Sequence, residues 1–192
     1  MSYFNFCGSC GQKTSWIIPA GDHNLRQVCT SCHQIHYANP KIVSGALVTW
    51  EDKVLLCRRA IEPRYGYWTL PAGYMELGET MEQGATRETW EEAEAKIEIE
   101  KLFCMYNFPQ IGHVYVLFKA QLINGIFGNG PESIESRLFS ENEIPWSELA
   151  FSSISQTLKH YFHDRKKGIL EFHLETLNPQ MSHAFLDSAI PA

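Results

Sequence analysis

Three glutamates spaced for one helical face carry most of the chemistry in this chain. Glu88 and Glu92 are i, i+4 neighbours, and Glu88 and Glu91 are i, i+3. A helix therefore brings the three carboxylates together. Like charges at that spacing repel, and the C-terminal half of a helix already carries the negative end of its dipole. Such a face is either solvated surface or a set of oxygen ligands whose repulsion Mg²⁺ or Mn²⁺ removes. The helix alone does not choose between them. The second loaded set is Cys7-x2-Cys10 and Cys29-x2-Cys32, with eighteen residues between the pairs. Two such pairs complete a tetrahedron around Zn²⁺, closed to water and therefore structural. His33 and His36 follow as bystanders to four well-spaced thiols.

The acidic helix must be held from its start. Thr80 and Gln83 stand in a capping-box relation, so the helix is expected to begin there. Its small flank, Ala85, Thr86, Thr89 and Ala93, is expected to pack on a core, with Trp90 turned away from the acids. Ahead of it, Ile42 to Trp50 and Val54 to Arg59 read as a β-hairpin turning at Glu51-Asp52-Lys53. Cys57 and Cys104 sit in apolar runs as small core residues. Arg58 and Arg59 point to opposite faces of a regular strand, so one at most meets a ligand, and Arg58 is the candidate. After the helix, Lys96 to Glu100 alternates as a half-buried strand. Leu102 to Phe108 and Val114 to Leu122 read as an antiparallel pair joined by a loop ending at His113. Asn124 to Pro131 is a Gly-rich loop, Glu132 and Glu135 follow in loop, and Arg137 to Phe139 is a short strand. Ser152 or Ser153 caps a last helix running to about Lys167, with Ile154, Leu158, Tyr161 and Phe162 as its apolar stripe and Gly168 as its stop. Residues 1–39 form the zinc ribbon, 40–168 the main domain, and 169–192 a tail to which no structure is assigned.

Composition bounds the function. Sixteen basic against 22 acidic residues give a net charge of −6, which disfavours nucleic acid and anionic membrane as partners. Residues 1–40 hold only Lys13 and Arg26 as cations, too few for a phosphate-binding ribbon. The N-terminus lacks a secretory pattern and no apolar run reaches transmembrane length. A cytoplasmic enzyme with reduced thiols is expected, and an anionic substrate would need a mediating cation.

The spacing of the central stretch resembles a known family. Gly73, five residues, Glu79, seven residues, Arg87-Glu88 and then Glu91-Glu92 is similar to the Nudix box. Thr89 and Ala95 stand where that pattern has aliphatics, and Glu94 where it has a glycine. The preceding Trp68-Thr69-Leu70-Pro71-Ala72-Gly73 also resembles the segment that leads into the box. The resemblance implies an α/β/α sandwich with a mixed sheet and metal-dependent hydrolysis of a nucleoside diphosphate linked to another moiety. It implies that Glu88, Glu91 and Glu92 hold Mg²⁺ or Mn²⁺, and that Glu79 and Arg87 brace loop and helix. The general base is Glu88 or a later-loop glutamate, Glu132 or Glu135. A zinc ribbon ahead of the box looks like the FAD and ADP-ribose pyrophosphohydrolase group, or NADH pyrophosphatases. Tyr106-Asn107-Phe108-Pro109-Gln110-Ile111 lacks most of the signature of the latter, so FAD ranks first, ADP-ribose second and NADH third. Gly73, Arg58, Tyr65, Tyr67, Tyr106 and Phe108 are the candidate substrate contacts. A homodimer is a family expectation. A non-catalytic nucleotide sensor is the alternative of another class, disfavoured because every box carboxylate is present.

Overall fold

The computed structural model describes residues 4–178, in two compact units that part after Pro40. The first contains β1 (Thr14–Ile17), β2 (Arg26–Cys29) and β3 (Ile35–His36), an antiparallel sheet in that order. Each cysteine pair makes a tight turn. Gly11 N–H donates to Cys7 O at 2.8 Å and His33 N–H to Cys29 O at 3.2 Å. Gly11 and His33 both take positive φ, 72° and 61°, so His33 acts through its backbone as the second turn's left-handed residue. The four sulfurs face one another, Cys7 to Cys32 at 3.7 Å and Cys10 to both Cys29 and Cys32 at 3.4 Å. That is too long for disulfides and close to the edge of about 3.8 Å that Zn–S bonds of about 2.3 Å give a tetrahedron. N–H groups of Ser9 and Cys32 point at Cys7 and Cys29 sulfurs. Burial opposes ionisation of Cys7, but hydrogen bonds from Ser9, Cys10, His36 and Cys32 draw its thiol down to about 6, the direction a ligand needs. Purified protein should carry one zinc equivalent per chain, and Cys29→Ser should lose it. Elemental analysis with thiol titration checks this, and zinc well below one equivalent after metal-replete expression would overturn it.

The second unit begins at Lys41. In chain order it holds β4 (Lys41–Trp50), β5 (Lys53–Arg59), β6 (Trp68–Thr69), β7 (Ala72–Tyr74), α1 (Met81–Ala93), β8 (Ile97–Phe108), β9 (His113–Leu122), β10 (Ser133–Phe139), α2 (Ser152–Lys167) and β11 (His173–Thr176). The sheet runs β10-β5-β4-β9-β8-β11, with β4–β9 and β8–β11 parallel. β4 and β5 share only the hairpin end, Thr49 with Val54 and Trp50 with Lys53. Beyond it they separate: β7 takes over the start of β4 and β6 the end of β5. The residues of the Nudix-like box enter through this split.

Alternation along β4 divides the core. Leu47 joins the cluster beneath Ile154, Leu158, Tyr161 and Phe162 of α2, and Ala46 and Val48 join Ala93, Ala95, Ala120 and Leu122 on the α1 side. The result is the expected α/β/α sandwich with a mixed sheet. Small residues at Ala85, Ala93, Ala46 and Ala120, all 0% exposed, let α1 lie close to the sheet.

Several local expectations change. The strands expected at Lys96 to Glu100 and Leu102 to Phe108 merge into one, β8, which begins at Ile97, with register shifts between Ile99 and Lys101 and between Leu102 and Cys104. His113 opens β9 instead of lying in the loop. β10 begins at Ser133, so Glu135 is in a strand. Thr86 is exposed, its hydroxyl donating to Glu82 O at 2.8 Å. α2 starts after Phe151 with no side-chain cap. The segment left unassigned supplies β11, which pairs His173–Thr176 with Cys104–Asn107. Residues 179–192 of the tail lie outside the described residues.

Candidate functional site

α1 begins as the sequence requires. Thr80 Oγ1 accepts from Gln83 N–H at 3.3 Å and Gln83 Oε1 from Thr80 N–H at 2.8 Å, closing the capping box. Its other end is unusual. Glu94 adopts φ 47°, the left-handed conformation for which the Nudix pattern supplies glycine. The Gly-rich loop then covers the last turn: Gly128 N–H donates to Ala93 O at 2.6 Å and Gly130 N–H to Glu92 O at 3.0 Å. That segment, expected only as flexible connection, terminates the acidic helix.

Arg87 is the hub of the site. Its Nε and Nη2 bind Glu79 in a fork at 3.0 and 2.8 Å. Nη1 donates to Glu88 at 2.7 Å and Glu91 at 3.2 Å, and Nη2 also reaches Tyr74 O at 3.1 Å. Glu79 also accepts from Glu76 N–H at 2.6 Å. The Arg87 guanidinium and that amide hold the Glu79 carboxyl down at about 2. Loop and helix are thus joined by the two residues the resemblance named for that task. Gly73 is fixed by close approach: a Cβ there would lie 2.3 Å from Glu88 Oε2. A side chain there would have to displace the Glu88 carboxylate, which Arg87 Nη1 holds at 2.7 Å.

The carboxylates differ in environment. Glu91 is exposed, Glu88 half-buried, and Glu92 only 6% exposed. Glu92 has one long contact, from Ala72 N–H at 3.4 Å. Burial, with Glu88 and Glu132 adding negative charge, pushes Glu92 from an ordinary 4.5 up to about 8. Burial raises Glu88 as well, against the pull of Arg87. The protonated form of Glu92 is the one folding favours. Stability is therefore fully present below about pH 4.5 and is lost as pH rises through about 8. Without added divalent cation, the catalytic unit should lose about 2–4 kcal/mol across that range. Mg²⁺ or Glu92→Gln should flatten the slope. Thermal melts from pH 5 to 8.5 check this, and an identical slope in Glu92→Gln would contradict it.

Among the described residues, only the four ribbon cysteines bring three or more candidate ligand atoms within 4.8 Å of one another. Glu88 and Glu91 are drawn to Arg87, and Glu92 turns to Ala72. The donor set still suits a hard divalent cation: oxygens only, on one rigid helix, with a buried carboxyl that has no cation bonded to it.

The remaining candidates separate clearly. Glu132 lies beside the cluster, its charge acting on both Glu88 and Glu92. Glu135 sits opposite Arg58 on β10. Tyr65 is exposed, and Tyr67 is half-buried with the Arg64 guanidinium 5.3 Å from its ring. Tyr106 and Phe108 do not offer stacking faces. Tyr106 is 0% exposed with its hydroxyl 3.2 Å from Thr157 Oγ1, and Phe108 is packed in the same cluster against Tyr115. α2 packs on this face of the sheet and β11 extends it beside β8, so rings that alternation alone leaves undecided become core. Arg58 Nε donates to Gly66 O at 2.9 Å, and of the two arginines it is Arg59 whose charge acts on Glu92. Tyr74, not a sequence candidate, adjoins the site: its backbone O accepts from Arg87 Nη2 at 3.1 Å. Half its surface is exposed, directly after Gly73, and its hydroxyl lies 3.2 Å from His113 Nε2. Its place beside the box glycine was the available signal.

This fold and box define a hydrolase class, and the comparisons agree. The NUDIX domain model matches residues 39–162 and the Nudix N-terminal zinc-ribbon model residues 5–38. The chain belongs to the Nudix hydrolase family, in its zinc-ribbon form. A crystal structure of a NUDIX hydrolase from Nitrosomonas europaea is similar, with a TM-score of 0.88 and 50% identity over 91% of this chain and 99% of that one. The ADP-ribose pyrophosphatase of Methanocaldococcus jannaschii is 31% identical over 119 residues, 60% of this chain and 69% of its own. The NAD-capped RNA hydrolase NudC of Pseudomonas aeruginosa is 30% identical over 171 residues, 86% of this chain and 58% of its own. This chain thus spans 69% and 58% of these two curated relatives. No described helix is long and apolar enough to cross a membrane.

Proposed function

We propose that the protein hydrolyses the diphosphate of an adenosine diphosphate derivative, with ADP-ribose ahead of FAD and NADH. The observation that carries this reading is the Gly73–Glu88 approach within a complete set of box carboxylates braced by Arg87. Glu88, Glu91 and Glu92 would hold Mg²⁺ or Mn²⁺, which supplies charge neutralisation for the diphosphate and acidifies bound water. Glu79 and Arg87 keep the loop and helix in register. Glu88 or Glu132 takes the proton from the attacking water. Glu132 is the better placed of the two late glutamates, because Glu135 is fixed in β10. Water adds across the P–O–P bridge, so ADP-ribose yields AMP and ribose 5-phosphate, and FAD yields AMP and FMN.

ADP-ribose moves ahead of FAD for two reasons. One relative bears that activity in its name, and two of the four rings assigned to flavin are buried. FAD keeps second place through Tyr65 and Tyr67. If flavin stacks there, Tyr65→Ala or Tyr67→Ala should lower the FAD over ADP-ribose ratio of kcat/KM by about tenfold. A panel of ADP-ribose, FAD and NADH with products identified by mass tests the ranking. No phosphorylated product from any of them, with Mg²⁺ or Mn²⁺ present, would leave the sensor reading in its place.

A further inference from the structure

The end of the Gly-rich loop builds a frame around Glu132. Ser133 N–H donates to Gly130 O at 3.0 Å, so Gly130-Pro131-Glu132-Ser133 is a hydrogen-bonded turn with Glu132 at its third position. Pro131 presets the backbone at the second position. Three further bonds fasten the turn to its surroundings. Gly130 N–H donates to Glu92 O at 3.0 Å, and Ala60 N–H donates to Glu132 O at 2.8 Å. These tie it to the acidic helix and to the residue after β5, and both run between backbones. The third comes from a side chain: Asn129 Oδ1 accepts from Ser136 N–H of β10 at 2.6 Å. Asn129 is exposed, and its bond spans seven residues, so it is not a local turn of its own backbone. The ladder between β10 and β5 shifts register between Ser133 and Glu135, so regular pairing does not fix the start of β10. Asn129 closes that gap, with Glu132 lying between one anchor on α1 and another on β10.

We propose that Asn129 is a positioning residue for Glu132, and that Glu132 takes the proton from the attacking water. This rests on the diphosphatase reading above and chooses Glu132 over Glu88 as its base. A carboxylate on a free loop samples many positions, and a base works only within reach of the proton it removes. The frame limits Glu132 to a small region before substrate arrives. It also links base and metal site, because the turn is bonded to the carbonyl of Glu92 and moves with the helix that carries the cation ligands.

The test uses the full chain with its zinc and ADP-ribose as substrate, in Mg²⁺. Glu132→Gln should lower kcat by about 10²-fold or more. Asn129→Ala should lower kcat by about 5- to 50-fold, with KM changed by less than about threefold. Asn129→Asp keeps an acceptor oxygen at the same place and should recover most of that rate. In the Glu132→Gln background, Asn129→Ala should cost less than about twofold more, because the group it places is gone. Asn129→Ser, too short to reach Ser136 N–H, takes the place of Asn129→Ala if that variant does not fold. Losses that multiply in the double variant would show a general structural role and overturn the proposal, as would a wild-type kcat in Asn129→Ala. A near-wild-type rate in Glu132→Gln would also overturn it, returning the proton to Glu88 and leaving the diphosphatase reading in place. Wild-type protein that releases no phosphorylated product from ADP-ribose, FAD or NADH would defeat that reading itself, and the base assignment with it.

Discussion

Glu88→Gln and Glu92→Gln should each lower kcat/KM for diphosphate hydrolysis by on the order of 10²- to 10⁴-fold, with the fold intact. The amide keeps the shape of the side chain and removes the charge that a divalent cation needs. The two variants should differ in stability. Glu92 is 6% exposed with only a 3.4 Å contact from Ala72 N–H, so an amide there removes the cost of protonating the carboxyl on folding and should raise the metal-free melting temperature at neutral pH. Glu88 bonds Arg87 at 2.7 Å, so its amide gives up a charge-assisted contact and should bring no such gain. Steady-state kinetics at matched Mg²⁺ alongside thermal melts check both halves. A near-wild-type rate in either variant would mean that the acidic face is solvated surface.

Gly130→Ala should destabilise the catalytic unit by about 3 kcal/mol or more. A Cβ at Gly130 would lie 1.6 Å from Glu91 O, a backbone atom at the end of α1. The helix end or the loop must move, and the Gly130-to-Glu92 hydrogen bond at 3.0 Å goes with it. Gly128→Ala is the internal comparison. Its Cβ would meet the Glu94 carboxylate at 2.5 Å, the far end of an exposed, flexible side chain, so the cost should stay below about 1 kcal/mol. Denaturant melts of the two variants measure the difference. Equal costs would show that the loop is not a close-fitted cap.

The helix and its carboxylates were legible because the information is local. A capping box fixes the start of α1, and i, i+3 and i, i+4 spacing then fixes which acids share a face. The paired cysteines were legible for the same reason. What escaped depends on distant partners. The break in β8 came from two register shifts, which disturb alternation until one strand reads as two. Tyr106 and Phe108 look like available rings until α2 packs on their face and β11 extends the sheet beside β8, and β11 is a four-residue parallel edge strand whose own sequence announces little. For Arg58 and Arg59, alternation told that only one could face the site. Which one depends on how β5 pairs with β6 and β10, and no property of the dipeptide itself encodes that.

Arg87 has a further consequence for how the protein spends its time between turnovers. By contacting Glu79, Glu88, Glu91 and Tyr74 O, it stands in as a resident cation. Its charge offsets part of the repulsion among the helix carboxylates. A metal that gathers the three carboxylates must compete with that guanidinium for Glu88 and Glu91, so occupancy is a ligand exchange rather than the filling of a vacant cage. Such an exchange would lower net affinity for the ion while leaving the loop and helix braced through Glu79.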